Sequence, residues 1–580
     1  MKLITPTRYR RDSSHLYRRD SSRLPTPHSA LMSDRQEQIS QVVVTAEQMR
    51  DIEARIFAAG MPVVALMEKV AGLIARRIQN IYPNQKDAGT LGRGDTGTFL
   101  ISPSERLPLS ASSFFSSNSR IGILVGPGHN GGDALVVARE LHFRGYEIWI
   151  YSPFSKFKEL TSQHLQYARS LGIPIYQEIE QLPSCDLLID GLFGFGLEKN
   201  LTDPIASAID RLNELSVPIL SIDLPSGLHT DTGEVLGTAI RATQTFCLGL
   251  WKLAFLQDQA LEFVGKAELI DFDIPLADVQ AVVGNAPKIK RITAATALST
   301  LPLPRPAITH KYKEGHLLLI CGSQRYAGGA ILTGLGALFS GVGMLSVAVP
   351  ESLKSLLVSH LPEALIVGCP ETETGAIGQL QLPAKTNLSS FSAIACGPGL
   401  TTDASRIVQE VIESDVPLIL DADGLNILAQ IATIPTLQKR QAPTILTPHT
   451  GEFQRLFPQI ADAKHDRVKA VQQAAAQSGA VVLLKGARTA IANPQSEVWI
   501  VPESTPALAR GGSGDVLTGL LGGLLAQATT KHIPVEDIAA TAAWWHSQAG
   551  ILAAQERTEL GVNAFTLAQY LIKTLSSFKR

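Results

Sequence analysis

The chain has little of what marks several large classes of protein. Its 580 residues hold only five cysteines (Cys185, Cys247, Cys321, Cys369 and Cys396), scattered and without a CxxC pair, so neither a disulfide framework nor a thiolate zinc site is indicated. Such usage suits a reduced compartment, and a cytoplasmic location is the expectation. Charge of one sign is lacking too. With 51 basic and 53 acidic residues the formal net charge is -2, without the basic excess that a nucleic-acid partner calls for. One long uncharged stretch, Ala327 to Pro350, has the length of a membrane span. Six glycines interrupt it, however, and Gly341-Val342-Gly343 separates a helical half from the strand-like Met344 to Val349. It reads as a buried helix followed by a buried strand, and no membrane partner is expected.

Hydrophobic residues make up 45% of the chain, enough for more than one core, and at about 150 residues per domain the length allows two to four domains. The first 31 residues repeat YRRDSS at Tyr9 to Ser14 and at Tyr17 to Ser22, without the apolar core of a secretory signal. A transit peptide and a start upstream of the true one at Met32 both stay open, with Asp12 and Asp20 arguing against the former; residues 1–41 are expected to be a disordered extension. Thr45 is placed to cap a helix, and Val63 to Ile81 carries a second helical run. Residues 87–120, rich in Ser, Gly and Thr, read as a low-complexity surface insertion.

From Ile121 onward strands and helices alternate. The strands are Ile121–Val125, Glu147–Tyr151, Asp186–Asp190, Pro218–Ile222, Gln244–Leu250 and Glu268–Phe272, a pattern that specifies a parallel sheet covered by helices on both faces. Asp271 to Pro306 loses the pattern and collects prolines. A second series then begins at His316–Cys321 and continues through Leu345–Val349, Ala393–Cys396, Pro417–Leu420, Pro443–Leu446 and Val481–Lys485. The fold class is therefore α/β, with two three-layer α/β/α domains at residues 42–284 and 285–580.

Residues 121–139, IGILVGPGHNGGDALVVAR, set Gly126, Gly128 and Gly131 on the GxGxxG spacing at a strand-to-helix turn, where backbone N–H groups can meet an anion. The acidic ribose reader of a dehydrogenase is missing, because Ser152, Pro153 and Phe154 follow the second strand. His129, Asn130 and Asp133 also bring more side-chain chemistry into the turn than a pyrophosphate requires. Asp190 ends one strand before a glycine-flexed loop running to Asn200, and Asp223 with Ser226 ends the next. Each aspartate alone is as readily a cap or turn former. Adjacent strands bring them to the crevice of Asn130, and oxygens converging without His or Cys suit potassium or magnesium.

In the second half, ALARGGSGDVLTG packs Gly511, Gly512, Gly514 and Asp515 ahead of an apolar helix. The glycines let N–H groups close on phosphoryl oxygens, and Asp515 is placed to take a proton from an attacking hydroxyl; an acidic residue in a first helical turn is also common for its own sake. Lys485, Gly486, Arg488 and Thr489 lie in a strand-turn-strand suited to nucleotide phosphates, and His449 stands at a strand end beside a helix start.

Through these stretches the chain resembles the bifunctional NAD(P)H-hydrate repair enzymes, a YjeF-type epimerase fused to an ADP-dependent dehydratase, over Val42 to Lys579. The matching stretches are GPGHNGGDALVVAR, DGLFGFGL and SIDLPSGL in the first half, and HKYKEGHLLLICGSQRYAGGA, ACGPGL, LDADGLN, LTPHTGEF, LKGART and GGSGDVLTG in the second. The resemblance implies a Rossmann-like first domain and a ribokinase-like second. It implies that His129, Asn130, Gly131, Gly132 and Asp133, the loop Gly194, Phe195, Gly196, Leu197, Glu198, Lys199 and Asn200, and Asp223 bind the hydrated dinucleotide. Asn130, Asp190 and Ser226 would hold potassium, with Asp190 catalytic. In the second domain Gly329, Gly399, His449 and Asp515 would face the hydrate, Asp515 as base. Lys485, Gly486, Ala487, Arg488, Thr489 and Gly514 would face ADP, which brings magnesium. His129 stands where the family commonly has Asn, Ala134 where it often has Gly, and Gly329 where Ala is usual.

The implied activity is repair of hydrated NADH and NADPH (NADHX and NADPHX): R and S hydrates are interconverted, and the S form is dehydrated while ADP becomes AMP and phosphate. A homo-oligomer is the expected assembly. Two rival readings are a ribokinase-like vitamin-precursor kinase that keeps its phosphorylated product, and a first domain that only binds or scaffolds.

Overall fold

The computed structural model describes residues 35–83, 119–460 and 465–578. Most of the expected N-terminal extension and of the 87–120 insertion lies outside the described residues. The extension as expected reaches too far, because residues 35–41 are helical. Arg35 pairs with the Asp271 carboxylate and donates to the Ile274 carbonyl at 2.9 Å, and Glu37 accepts from the Thr293 hydroxyl, so this turn has partners that its own composition does not reveal.

Strand β1 (Val43–Val44) leads into helix α1 (Ala46–Ala58), where Thr45 forms a reciprocal capping box with Gln48. Helix α2 (Val63–Ile81) follows and buries Leu66, Met67, Val70, Ile74 and Ile78, the spacing of one helical face. The first sheet is built from β2 (Arg120–Val125), β3 (Glu147–Tyr151), β4 (Ile175–Tyr176), β5 (Leu187–Gly191), β6 (Ile219–Ile222), β7 (Gln244–Leu248) and β9 (Lys266–Ile270), while the short β8 (Trp251–Lys252) pairs with β1. All neighbours in the seven-stranded sheet are parallel, in the order β4-β3-β2-β5-β6-β7-β9. The chain leaves β2 toward one edge and returns to β5 on the other side, so β2 and β5 flank a topological switch point with a crevice at its carboxyl ends.

The segment Asp271 to Pro306 is more ordered than its composition suggests. It holds a helix at Leu276–Val283, strand β10 (Ile289–Arg291) and a helix at Ala294–Thr300. β10 became invisible to pattern reading because it is three residues long and half-exposed at a sheet edge. The second sheet continues with β11 (His316–Ile320), β12 (Met344–Pro350), β13 (Leu365–Cys369), β14 (Ala393–Cys396), β15 (Leu418–Leu420), β16 (Thr444–Leu446), β17 (Val481–Leu484), β18 (Ala490–Ala492) and β19 (Val498–Ile500). Its order is β10-β19-β18-β17-β16-β15-β14-β11-β12-β13, parallel apart from the β17-β18-β19 meander, and its switch point lies between β11 and β14.

Helix α3 (His129–Phe143) follows the first glycine turn, and helix α4 (Ala327–Phe339) is followed by β12, as expected for the uncharged stretch. The glycines of α4 have a packing reason. Any side chain at Gly336 would collide with the Val516 carbonyl of helix α5 (Ser513–Lys531), and any at Gly519 of α5 with the Thr333 carbonyl, so the two helices meet backbone to backbone. No single helix among the described residues is long and apolar enough to cross a membrane.

Candidate functional site

A cleft of about 580 Å³ opens at the carboxyl ends of β2, β5, β6 and β7. The turn after β2 supplies His129, Asn130 and Asp133, the loop after β5 supplies Gly194, Phe195, Gly196 and Leu197, and β6 ends at Asp223. Helix α1 contributes Arg50 and Glu53, and Lys158 and Lys252 complete the charged wall. The glycine turn is thus partly structural. A side chain at Gly126 would strike the Leu192 carbonyl and one at Gly131 the Gly126 carbonyl, whereas Gly128 is open. Gly131 and Gly132 are buried against Gly126 and Met67 and do not line the cleft; their lack of a side chain is what lets α3 approach. Glu198, Lys199 and Asn200 stand exposed outside it, with Glu198 paired to Arg50 at 3.3 Å. Ala134 shows no left-handed backbone and so bears no strain for replacing Gly.

Asp190 lies beneath the cleft, fully buried. Its carboxylate accepts from the Ser221 hydroxyl at 2.8 Å, the Ser226 hydroxyl at 2.6 Å, the Ser226 N–H at 2.9 Å and the Leu192 N–H at 3.2 Å. Burial raises its pKa against these hydrogen bonds. Asp223 holds a left-handed backbone with φ 69° and accepts the Lys252 ammonium at 2.5 Å and the Phe195 N–H at 2.9 Å. Lys252 and Asp223 side chains are 1% and 5% exposed, so this pair is desolvated. Burial works to lower the Lys252 pKa, yet Asp223 and its neighbours outweigh it and the net shift is upward. Burial pushes Glu53 up to about 7, and it pushes Asp133 well above the ordinary carboxylate range, helped by the Asp223 charge. Two carboxyl groups with raised pKa, Glu53 at about 7, therefore share a cleft with a charged lysine.

The second constellation sits at the carboxyl ends of β11, β14, β15, β16 and β17. Gly512, left-handed at φ 91°, begins α5, and Asp515 lies in its first turn. Burial raises the Asp515 pKa to about 6, with Asp421 pushing it further up and Lys485 pulling it down. A side chain at Gly329 would come 3.4 Å from Asp515 Oδ2, and one at Gly514 would come 3.6 Å from Lys485 Nζ, so the structure brings these four residues together. Lys485 bonds Asp421 at 2.7 Å and lies 3.9 Å from Glu452; the Thr518 hydroxyl donates to Asp421 at 2.6 Å. His449 caps the helix Thr450–Leu456, its Nδ1 accepting the N–H groups of Gly451 and Glu452, while Nε2 lies 3.4 Å from Glu452. Gly399, at φ 66°, backs onto Tyr326 just before α4. Of the loop Lys485 to Thr489, Lys485 turns toward this cluster, whereas Gly486 and Arg488 pack against Asp258 of the first domain. Below α5, burial lowers the His546 pKa to about 4, and its ring faces the Ser513 carbonyl at 3.0 Å.

Sequence reasoning missed Glu53, Lys158, Lys252, Asp421, Glu452 and His546. Two of these left a signal. Lys252 is the one charge in the run Cys247 to Leu256, where a lone charge is costly unless paired. Asp421 ends a strand just as Asp190 and Asp223 do. Glu53 sits beside the buried stripe Met49, Ile52 and Ile56 and looks like any flank residue.

Two parallel-sheet domains, each with an acid–base cluster at its switch point, define a fused pair of α/β enzyme domains. Residues 64–254 match the family model described as the YjeF-related protein N-terminus, and residues 317–573 the one described as NAD(P)H-hydrate dehydratase. The chain is 52% identical over 91% of its length to a bifunctional NAD(P)H-hydrate repair enzyme of Synechocystis, covering 94% of that protein, and 48% identical over 92% to one of Thermosynechococcus vestitus, covering 97%. Among solved structures, an ADP/ATP-dependent NAD(P)H-hydrate dehydratase from Bacillus subtilis, co-crystallised with ATP and magnesium, is 33% identical; it covers 49% of this chain and 97% of its own, with TM-score 0.42. The chain belongs to the family of bifunctional NAD(P)H-hydrate repair enzymes.

Proposed function

We infer that the first cleft epimerises hydrated NADH and NADPH and that the second constellation dehydrates the S hydrate at the expense of ADP. The observation that carries the reading is the presence of two separate acid–base clusters in one chain: protonatable carboxyls beside Lys252–Asp223 in the first domain, and Asp515 at the glycine turn of the second. In the first domain, the carboxyl of Glu53 or Asp133 donates its proton to the ring hydroxyl, and the adjacent ring nitrogen expels it as water. Water then adds to either face of the planar cation and returns a proton to the carboxylate. The Lys252–Asp223 pair fixes the loop over the substrate through the Phe195 N–H.

The family implies potassium at Asn130, Asp190 and Ser226, and the residues fit it. All four donors to the buried Asp190 carboxylate are neutral, so no cationic side chain is bonded to it, and the Asn130 carboxamide lines the cleft, where its oxygen would serve as a ligand. A cation held by these oxygens would neutralise Asp190 and order the loop after β5. In the second domain Asp515 takes the proton of the hydrate hydroxyl as that oxygen attacks the terminal phosphoryl group of ADP, AMP leaves, and the ring nitrogen then expels phosphate as the neighbouring carbon loses a proton. Lys485 and the N–H groups after Gly512 stabilise the transferred charge. Magnesium would arrive with the phosphates, since no group of three or more His, Cys, Asp or Glu side chains is placed to hold a metal ion among the described residues.

Incubation of purified protein with the hydrates and ADP tests the reading. Restored absorbance of reduced nicotinamide with release of phosphate supports it, and accumulation of a stable phosphoester supports the kinase alternative.

A further inference from the structure

The segment Trp251 to Ala260 belongs to the first domain, and its beginning carries Lys252 into the cleft. Six residues later Asp258 reaches the second domain. Its Oδ1 accepts the Arg488 N–H at 2.8 Å, and its Oδ2 lies 3.0 Å from the Arg467 guanidinium. Arg467 is buried, and it donates at 2.5 Å to the Arg488 carbonyl, so both backbone groups of Arg488 are held by one ion pair that crosses between the domains. The Arg488 side chain turns the same way, donating to the Phe255 carbonyl at 3.4 Å. At Gly486 an added Cβ would strike the Arg467 guanidinium and come 2.6 Å from Asp258 Oδ2, so the loop is moulded to this ion pair. The turn's own side-chain bonds, between Thr489 and Gly486, are longer, at 3.1 and 3.4 Å.

We propose that Asp258 is a positioning residue for nucleotide binding in the other domain: it and Arg467 set the conformation of the Lys485 to Thr489 loop. The proposal rests on the reading that this loop faces the nucleotide. The part-buried Arg488 N–H, once its acceptor is removed, must find another partner or move, and a loop of five residues moves readily. The first domain is thereby a structural part of the second domain's nucleotide site, which gives the fusion a consequence beyond tethering.

The test measures steady-state dehydration by the full-length chain with ADP varied, for Asp258→Ala, Asp258→Asn and Lys485→Met. Asp258→Ala, which removes a hydrogen bond and an ion pair, should raise the ADP KM about 10-fold, leaving kcat, the KM for the hydrate and epimerisation within about twofold. Asp258→Asn keeps an acceptor for the Arg488 N–H and should recover part of the loss. A purely structural role would lower the melting temperature without moving the ADP KM. An unchanged ADP KM in Asp258→Ala overturns the proposal, and its meaning is read from Lys485→Met: if that variant raises the ADP KM, the positioning role alone fails, and if it does not, the assignment of the loop to the nucleotide fails with it.

Discussion

Replacing Lys252 by Met leaves the Asp223 carboxylate in a desolvated site with no cation bonded to it. Both side chains are almost wholly buried, at 1% and 5% exposure, and their charged atoms are 2.5 Å apart. Removing one partner of such a pair costs about 3–5 kcal/mol, because the remaining charge keeps its desolvation penalty without its compensation. Adding Asp223→Asn removes the stranded charge, and the double variant should be more stable than Lys252→Met alone by a few kcal/mol. Denaturant unfolding of the full chain gives both quantities. Neither variant should epimerise at the wild-type rate. A Lys252→Met protein within about 1 kcal/mol of wild type, far below the range above, would refute the reasoning.

Asp515→Asn should slow dehydration by about 10²- to 10⁴-fold, the usual worth of a general base, with ADP still bound; dehydration at the wild-type rate would remove Asp515 from the chemistry. Because Asp515 acts as a base with pKa raised to about 6, wild-type dehydration at saturating substrates should rise with pH through about 6 and then level off. His546, depressed to about 4 in the folded chain against about 6.5 unfolded, contributes stability that is present above about 6.5 and is lost as pH falls toward 4, about 3 kcal/mol in all. His546→Leu should flatten that part of the pH–stability curve. Potassium should raise the melting temperature of the wild type more than sodium does, and Asp190→Asn should abolish the difference; an equal response in both proteins would contradict the potassium site.

The parts of the molecule that were legible in the sequence are those governed by local rules. Glycine ahead of a helix marks a turn whatever the tertiary context, and the loop after β2 and the turn before α5 announced themselves in this way. Helix α2 follows from its apolar stripe, and α4 with β12 from the glycines that divide the uncharged stretch. What was not legible depends on long-range partners. Glu53 owes its raised pKa to burial, helped by the Asp223 charge and opposed by Lys252, in a cleft whose other walls lie far away along the chain, a placement that no spacing rule supplies. Asp190 and Ser226 were foreseen as neighbours, but not that Asp190 would lie under the cleft with four neutral donors bonded to it. The helix at residues 35–41 and strand β10 are too short to be periodic and exist because of the surfaces they meet.

The central claim is that each domain acts on a different chemical step and that epimerisation feeds dehydration. It is tested most directly by the time course of nicotinamide recovery from a mixture of R and S hydrates with ADP. The wild type should consume the whole mixture in one rapid phase. The first-domain double variant Lys252→Met with Asp223→Asn should show a rapid phase for the S fraction and then a slow one set by spontaneous epimerisation, whereas Asp515→Asn should be slow throughout. A single rapid phase in the double variant, consuming both epimers, would contradict the account.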